Sequence, residues 1–79
     1  MTRTPHDLAE EFPHAAARIH ELRQSNAHFA RLADEYHDVN RAVHRAETRV
    51  ETLGEATEAE LRRRRMTLKD ELGRMLAAP

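Results

Sequence analysis

The stretch that decides the fold is residues 29–53, FARLADEYHDVNRAVHRAETRVETL. Its apolar residues recur with alternating gaps of three and four, beginning at Phe29 and ending at Leu53. On an α-helix this spacing places them on one side, where they form an apolar seam that has to be buried against another helix. The seam consists of Phe29, Leu32, Tyr36, Val39, Val43, Ala46, Val50 and Leu53.

A second amphipathic helix is predicted over residues 58–77, after a turn at 54–57. Gly54 follows the seam and can take the left-handed conformation that ends many helices. Thr57-Glu58-Ala59-Glu60 matches a capping box, in which two side chains bind free backbone N–H groups reciprocally. Two long helices joined by so short a turn form an antiparallel, coiled-coil-like hairpin. The apolar stripe of the second helix consists of Leu61, Leu68, Leu72 and Met75.

The residues before the hairpin predict a shorter leading helix, over about residues 5–24, with a break near Pro13. Proline removes a backbone N–H group and disfavours helical geometry in the residue before it. Ser25 and Asn26 then favour a second break, because both residue types cap helix N-termini well. The long helix is expected over residues 27–53. The chain is therefore predicted to be one all-α domain over residues 1–79.

Composition and charge exclude several classes of function. Thirteen basic residues nearly cancel fourteen acidic ones, so the chain as a whole has no electrostatic bias toward nucleic acid. Cysteine is absent, which excludes disulfides and thiol chemistry. No apolar run approaches the ~20 residues that a membrane-spanning helix needs. The start of the sequence lacks the apolar core of a secretion signal, so we expect a cytoplasmic protein that does not insert into membranes.

The strongest local charge signal is the arginine run, Arg62, Arg63, Arg64 and Arg65. Four adjacent guanidinium groups can bind phosphates or an acidic protein. Consecutive residues of a helix point about 100° apart, however, so the run does not form one stripe. Acidic residues four positions earlier predict the ion pairs Glu58–Arg62 and Glu60–Arg64. Arg65 is expected to border the apolar seam, with its aliphatic part lying along it.

No residue pattern indicates catalysis, a cofactor or a metal. The six histidines include no pair at the (i, i+4) spacing that brings two imidazoles together on one face. His37 and His44 share a face but lie two turns apart, ~10 Å by helix rise, so they could hold one ion only with ligands from another chain. The carboxylates at Asp34, Glu35, Asp38, Glu47 and Glu51 could form acid–base pairs only inside a concave pocket, which a thin hairpin does not provide. We therefore expect that the protein is not an enzyme.

Four segments of the chain resemble the YdcH-like family of small bacterial proteins, whose function is uncharacterised. They are Ile19-His20-Glu21-Leu22, Ala27-His28-Phe29-Ala30-Arg31-Leu32, Tyr36-His37-Asp38-Val39 and Arg64-Arg65-Met66-Thr67-Leu68-Lys69-Asp70-Glu71-Leu72. The resemblance covers about residues 8–76 and implies a helical hairpin with a short leading helix. It also implies a bacterial cytoplasmic protein and supplies no catalytic residues.

The leading functional hypothesis is a helical protein that acts by self-assembly or by binding another protein. An isolated two-helix hairpin buries too little apolar surface to offset the entropy of ordering its residues. This shortfall predicts a homodimer, a larger helical bundle or a partner protein. The alternative is a protein associated with nucleic acid through Arg62–Arg65.

Overall fold

The computed structural model describes residues 7–48 and 54–78, and these residues form four α-helices and no strand. The helices are α1 (Leu8–Glu11), α2 (Ala16–Ser25), α3 (Ala27–Glu47) and α4 (Glu55–Ala77), with a 3-10 turn at Pro13–Ala15 between α1 and α2. The all-α class and the packing of two long helices after a short leading helix are confirmed.

The leading segment begins with a capped turn. Asp7 has an extended backbone, and its carboxylate accepts a hydrogen bond from the Glu10 N–H group at 3.0 Å. Helix α1 therefore begins at Leu8, so Asp7 caps the helix from outside its first turn; the expected start at residue 5 lies outside the described residues. Phe12 leaves helical geometry directly before Pro13, as the steric effect of proline requires.

A second capped junction separates α2 from α3. Asn26 has an extended backbone, and its side chain accepts a hydrogen bond from the Phe29 N–H group at 3.1 Å. Asn26 is thus the N-cap of α3, while Ser25 ends α2 and donates its hydroxyl proton to the Glu21 carbonyl. The change of direction at Asn26 lets α2 fold back onto α3, where Arg23 pairs with Asp34 at 2.8 Å.

Helices α3 and α4 run antiparallel. Arg62 lies opposite Glu47 and Arg65 lies opposite Asn40, so residue numbers rise along α4 as they fall along α3. The packing of these two helices gives the fold its hairpin.

The predicted boundaries of the hairpin turn are wrong. Helix α3 ends at Glu47, and Thr48 is its C-cap, with φ −88° and ψ 3°. The rest of the expected helix, residues 49–53, lies outside the described residues. Gly54 is extended, with φ −70° and ψ 154°, and is the N-cap of α4 instead of a left-handed helix end. Helix α4 begins at Glu55, three residues before the expected start, with acidic residues in the first turn where the helix dipole favours them. Thr57 therefore lies inside the helix.

The core is built by all four helices. It consists of Leu8, Ile19, Leu22, Phe29, Ala33, Tyr36, Val39, Val43, Leu68 and Leu72. Leu32, Leu61 and Met75 are half-buried against it, and the seam residues Val50 and Leu53 lie outside the described residues. The buried face of α3 passes through Ala33 and Asn40 more than through Leu32. A straight helix has 3.6 residues per turn, so its buried face drifts away from a strict heptad pattern.

Candidate functional site

The centre of the α3–α4 interface contains a buried polar contact. Asn40 is 1% exposed, and its Oδ1 atom accepts a hydrogen bond from Nη1 of Arg65 at 3.1 Å. Arg65 is half-buried, so its aliphatic part lies against the core while its guanidinium group reaches the interface edge. The arginine expected to border the seam therefore does so, and its partner is a neutral amide.

The other three arginines of the run face carboxylates of the same chain. Arg62 pairs with Glu47 at 3.4 Å, Arg63 with Glu60 at 3.6 Å, and Arg64 with Glu35. The two ion pairs expected within α4, Glu58–Arg62 and Glu60–Arg64, do not form. Both arginines instead reach α3, because the antiparallel packing brings acidic residues of that helix to the same edge.

Tyr36 lies fully buried beside this arginine cluster. Burial raises its pKa to about 12, and the negative charges of Glu11 and Asp7 act in the same direction, while Arg65 opposes them. At neutral pH the phenol keeps its proton and cannot serve as a base. Its ring also meets the imidazole of His37 edge-on, with 6.2 Å between the ring centres, as expected for a packed aromatic side chain.

A groove runs between the end of α1 and the outer face of α4, and we call it the α1–α4 groove. One part of it, a depression of about 280 Å³, is lined by Glu11, Tyr36, Arg62, Arg65, Met66 and Lys69. The other part, of about 450 Å³, is lined by Phe12, Lys69, Asp70, Gly73, Arg74 and Ala77. Both parts are open to solvent, and they meet at Lys69.

Two residues determine the polarity and charge of the groove surface, Met66 and Lys69. Met66 is 60% exposed, and it is the only large hydrophobic side chain so exposed in the part of the chain that the structure describes. Lys69 spans the groove to Glu11 on α1, with 3.5 Å between Nζ and Oε1. The groove is therefore apolar at Met66. Of the four cations that line it, Arg62, Lys69 and Arg74 are paired with carboxylates, and Arg65 pairs with none among the described residues.

The remaining candidates for chemistry are dispersed. Asp34, Glu35, Asp38 and Glu47 each pair with an arginine on the surface, and Glu51 lies outside the described residues. Across residues 7–48 and 54–78, no three histidine or acidic side chains are grouped so that they could hold a metal ion. None of the helices within those ranges combines the length and apolar character needed to cross a membrane.

Sequence reasoning missed Asn40 and the contact between Phe12 and Gly73. Asn40 lies four residues after Tyr36 and three before Val43, so its position on the buried face was available as a signal in the helical spacing. The Phe12 ring lies against the α4 backbone at Gly73, where an added Cβ atom would be 3.3 Å from the ring. No local sequence pattern links residues so far apart.

Comparison with known proteins gives one family. The family described as "Protein of unknown function (DUF465)" matches residues 29–76, which include most of α3 and nearly all of α4. YdcH is a member of this family, so the resemblance found in the sequence is confirmed. No curated protein and no solved structure matches the chain.

Proposed function

Because the chain belongs to DUF465, a family of proteins of unknown function, we propose its role from its geometry. It is a non-catalytic helical-hairpin protein that acts by binding another polypeptide, and self-assembly is the other form that this function can take. A location in the bacterial cytoplasm is part of the proposal and is based on the family resemblance alone.

The observation that carries this proposal is the exposed Met66 beside Arg65 in the α1–α4 groove. A methionine side chain is flexible and polarizable, and it is common on surfaces that bind other proteins. Arginine is likewise enriched where proteins bind one another. The groove thus combines an apolar contact with charged groups, as a protein-binding surface does.

The structure alters the argument for self-assembly. The sequence suggested that an isolated hairpin needs a second chain to cover its seam. In the structure α1 and α2 supply Leu8, Ile19 and Leu22 to the core, and these residues cover part of the seam within one chain. Self-assembly through the seam is therefore less favoured than binding through the outer surface.

Binding of nucleic acid is also less favoured. Affinity for phosphates depends on guanidinium groups that are free to replace counterions. Arg62, Arg63 and Arg64 each face a carboxylate of the same chain. These pairs reduce the positive potential of the run, which supports the polypeptide as partner.

The test is affinity purification of the tagged full-length chain from its source cells, with and without nuclease, followed by mass spectrometry and analytical ultracentrifugation. We expect a protein that co-purifies in a fixed ratio and survives nuclease, or a defined homo-oligomer. A monomer that retains nothing would overturn the proposal. Partners lost on nuclease treatment would instead support the nucleic-acid alternative.

A further inference from the structure

We propose that the α1–α4 groove binds an acidic amphipathic helix of another protein, with one of its carboxylates on Arg65 and an apolar side chain on Met66. This inference depends on the proposed function, since it names the partner class and the surface.

The groove has the length of a short helix. Its lining residues on α4 extend from Arg62 to Ala77, which corresponds to about 22 Å at 1.5 Å per residue. The α1 side of the groove is supplied by Glu11 and Phe12. A helix of about 15 residues lying along α4 would contact both parts of the groove.

The one groove cation that pairs with no carboxylate of the described residues, Arg65, favours an acidic partner. The lining of the groove contains four cations, Arg62, Arg65, Lys69 and Arg74, and two anions, Glu11 and Asp70. Three of the cations already face carboxylates, in the pairs Arg62–Glu47, Lys69–Glu11 and Arg74–Glu71. The positive charge left for a partner therefore lies at Arg65. A basic segment would be repelled by this positive charge, and an acidic segment would be attracted to it. The apolar surfaces of Met66 and Phe12 then distinguish an amphipathic polypeptide from a phosphate backbone, which offers no apolar side chains.

Among the groove residues, Arg65 offers a partner carboxylate the strongest new hydrogen bonds and ion pair. Its guanidinium group has five N–H donors, and the structure gives it one hydrogen bond, to the neutral Asn40. No carboxylate of the described residues pairs with it, whereas its three neighbours in the run are paired. Asn40 holds the group at the groove, so a partner carboxylate meets a cation that is already oriented.

The test begins with selection on the immobilised full-length chain from a random library of displayed peptides, each about 16 residues long and able to span the groove as a helix. Enriched peptides are synthesised, and their dissociation constants are measured by fluorescence anisotropy. The groove variants are Met66→Asp and Lys69→Glu, both at positions accessible to solvent. The matched control is Arg63→Glu, because Arg63 belongs to the same run but lies outside the groove, with a side chain that is 71% exposed.

We expect enriched peptides that carry acidic and apolar residues at helical spacing. Met66→Asp and Lys69→Glu should each weaken their binding by about tenfold or more, and Arg63→Glu by less than about twofold. Circular dichroism establishes that each variant keeps its helices. The proposal is overturned if no peptide is enriched, if the enriched peptides are neutral or basic, or if the groove variants bind them as the unsubstituted chain does.

Two further measurements separate the outcomes. A duplex DNA probe is titrated on the same variants, and binding that Lys69→Glu abolishes would assign the groove to phosphates and overturn the proposal. The affinity purification is repeated with Met66→Asp as bait. A partner that this bait retains would refute the groove while leaving the proposed function intact, whereas the absence of any partner with either bait would refute both.

Discussion

Arg65 donates a hydrogen bond to Asn40 across the interface between α3 and α4, with 3.1 Å between Nη1 and Oδ1. Asn40 is 1% exposed and lies on the buried face of α3, between Tyr36 and Val43. A slip of one helical turn would bury its amide against leucine and remove the acceptor from the arginine. Buried polar pairs of this kind fix the register of packed helices, and we infer that this pair does so here.

A double-mutant cycle tests this contact. Asn40→Leu and Arg65→Leu should each lower the free energy of unfolding by about 1–3 kcal/mol, because each leaves a polar partner without its hydrogen bond. The double variant should lose less than the sum of the two, since both polar groups are then replaced by apolar ones. Urea unfolding followed by circular dichroism measures all four proteins. Arg63→Leu is the control, with an expected change within about 0.5 kcal/mol; additive losses would show that the two residues do not interact.

The contact between Phe12 and Gly73 gives a second prediction. Alanine in place of a mid-helix glycine gains about 1 kcal/mol from helix propensity, but at Gly73 its Cβ would be 3.3 Å from two ring atoms of Phe12. The ring is half-buried, so it can shift at some cost in packing. We expect Gly73→Ala to stabilise the protein more in a Phe12→Ala background than in the unsubstituted chain. Thermal unfolding of the four variants measures this, and equal gains in both backgrounds would show that Phe12 does not lie against Gly73.

The burial of Leu8 predicts that the leading segment and the hairpin unfold together. Leu8 is 2% exposed although it belongs to a helix of four residues. Leu8→Ala should lower the free energy of unfolding by about 2–5 kcal/mol and leave a single cooperative transition, while Ala9→Ser on the exposed side should change it by less than about 0.5 kcal/mol. Hydrogen exchange in α3 and α4 should accelerate in Leu8→Ala. Unchanged exchange there would show that the two parts are independent.

The sequence was sufficient for features that depend on residues close together in the chain. The spacing from Phe29 to Val43 predicted α3 and its packing, and Asn26 was foreseen at the junction before it. The predicted boundaries of the turn were wrong because glycine is compatible with either end of a helix. The position of Gly54 directly after the apolar seam favoured the end of α3. The structure uses Gly54 to begin α4 instead.

Features that join distant residues could not be predicted. The rule for ion pairs within one helix selected Glu60 for Arg64, but the helix packing offers Glu35 instead. That choice depends on the register of α3 against α4, which the spacing of apolar residues does not determine. The α1–α4 groove likewise depends on the path of the chain on either side of Pro13, because that path decides whether the Phe12 ring lies against Gly73.

The phenol of Tyr36 predicts a loss of stability at high pH. In the folded chain burial raises its pKa to about 12, whereas the unfolded chain has the ordinary value of 10.0. Below pH 10 the phenol is protonated in both the folded and the unfolded chain, so Tyr36 does not make the free energy of unfolding depend on pH there. Between pH 10 and 12 the unfolded chain releases a proton that the folded chain retains, and the free energy of unfolding therefore falls as pH rises.

The ultraviolet absorbance of the phenolate measures this pKa directly, because Tyr36 is the only tyrosine of the chain. Circular dichroism on the same samples distinguishes titration of the folded protein from unfolding. Glu11→Gln should lower the pKa, since it removes a negative charge that disfavours the phenolate, and Arg65→Gln should raise it by removing a positive one. Opposite shifts in the two variants would place the phenol between these charges in solution. A midpoint near pH 10 in the folded protein would mean that the ring is open to water, which contradicts the buried position beneath the α1–α4 groove.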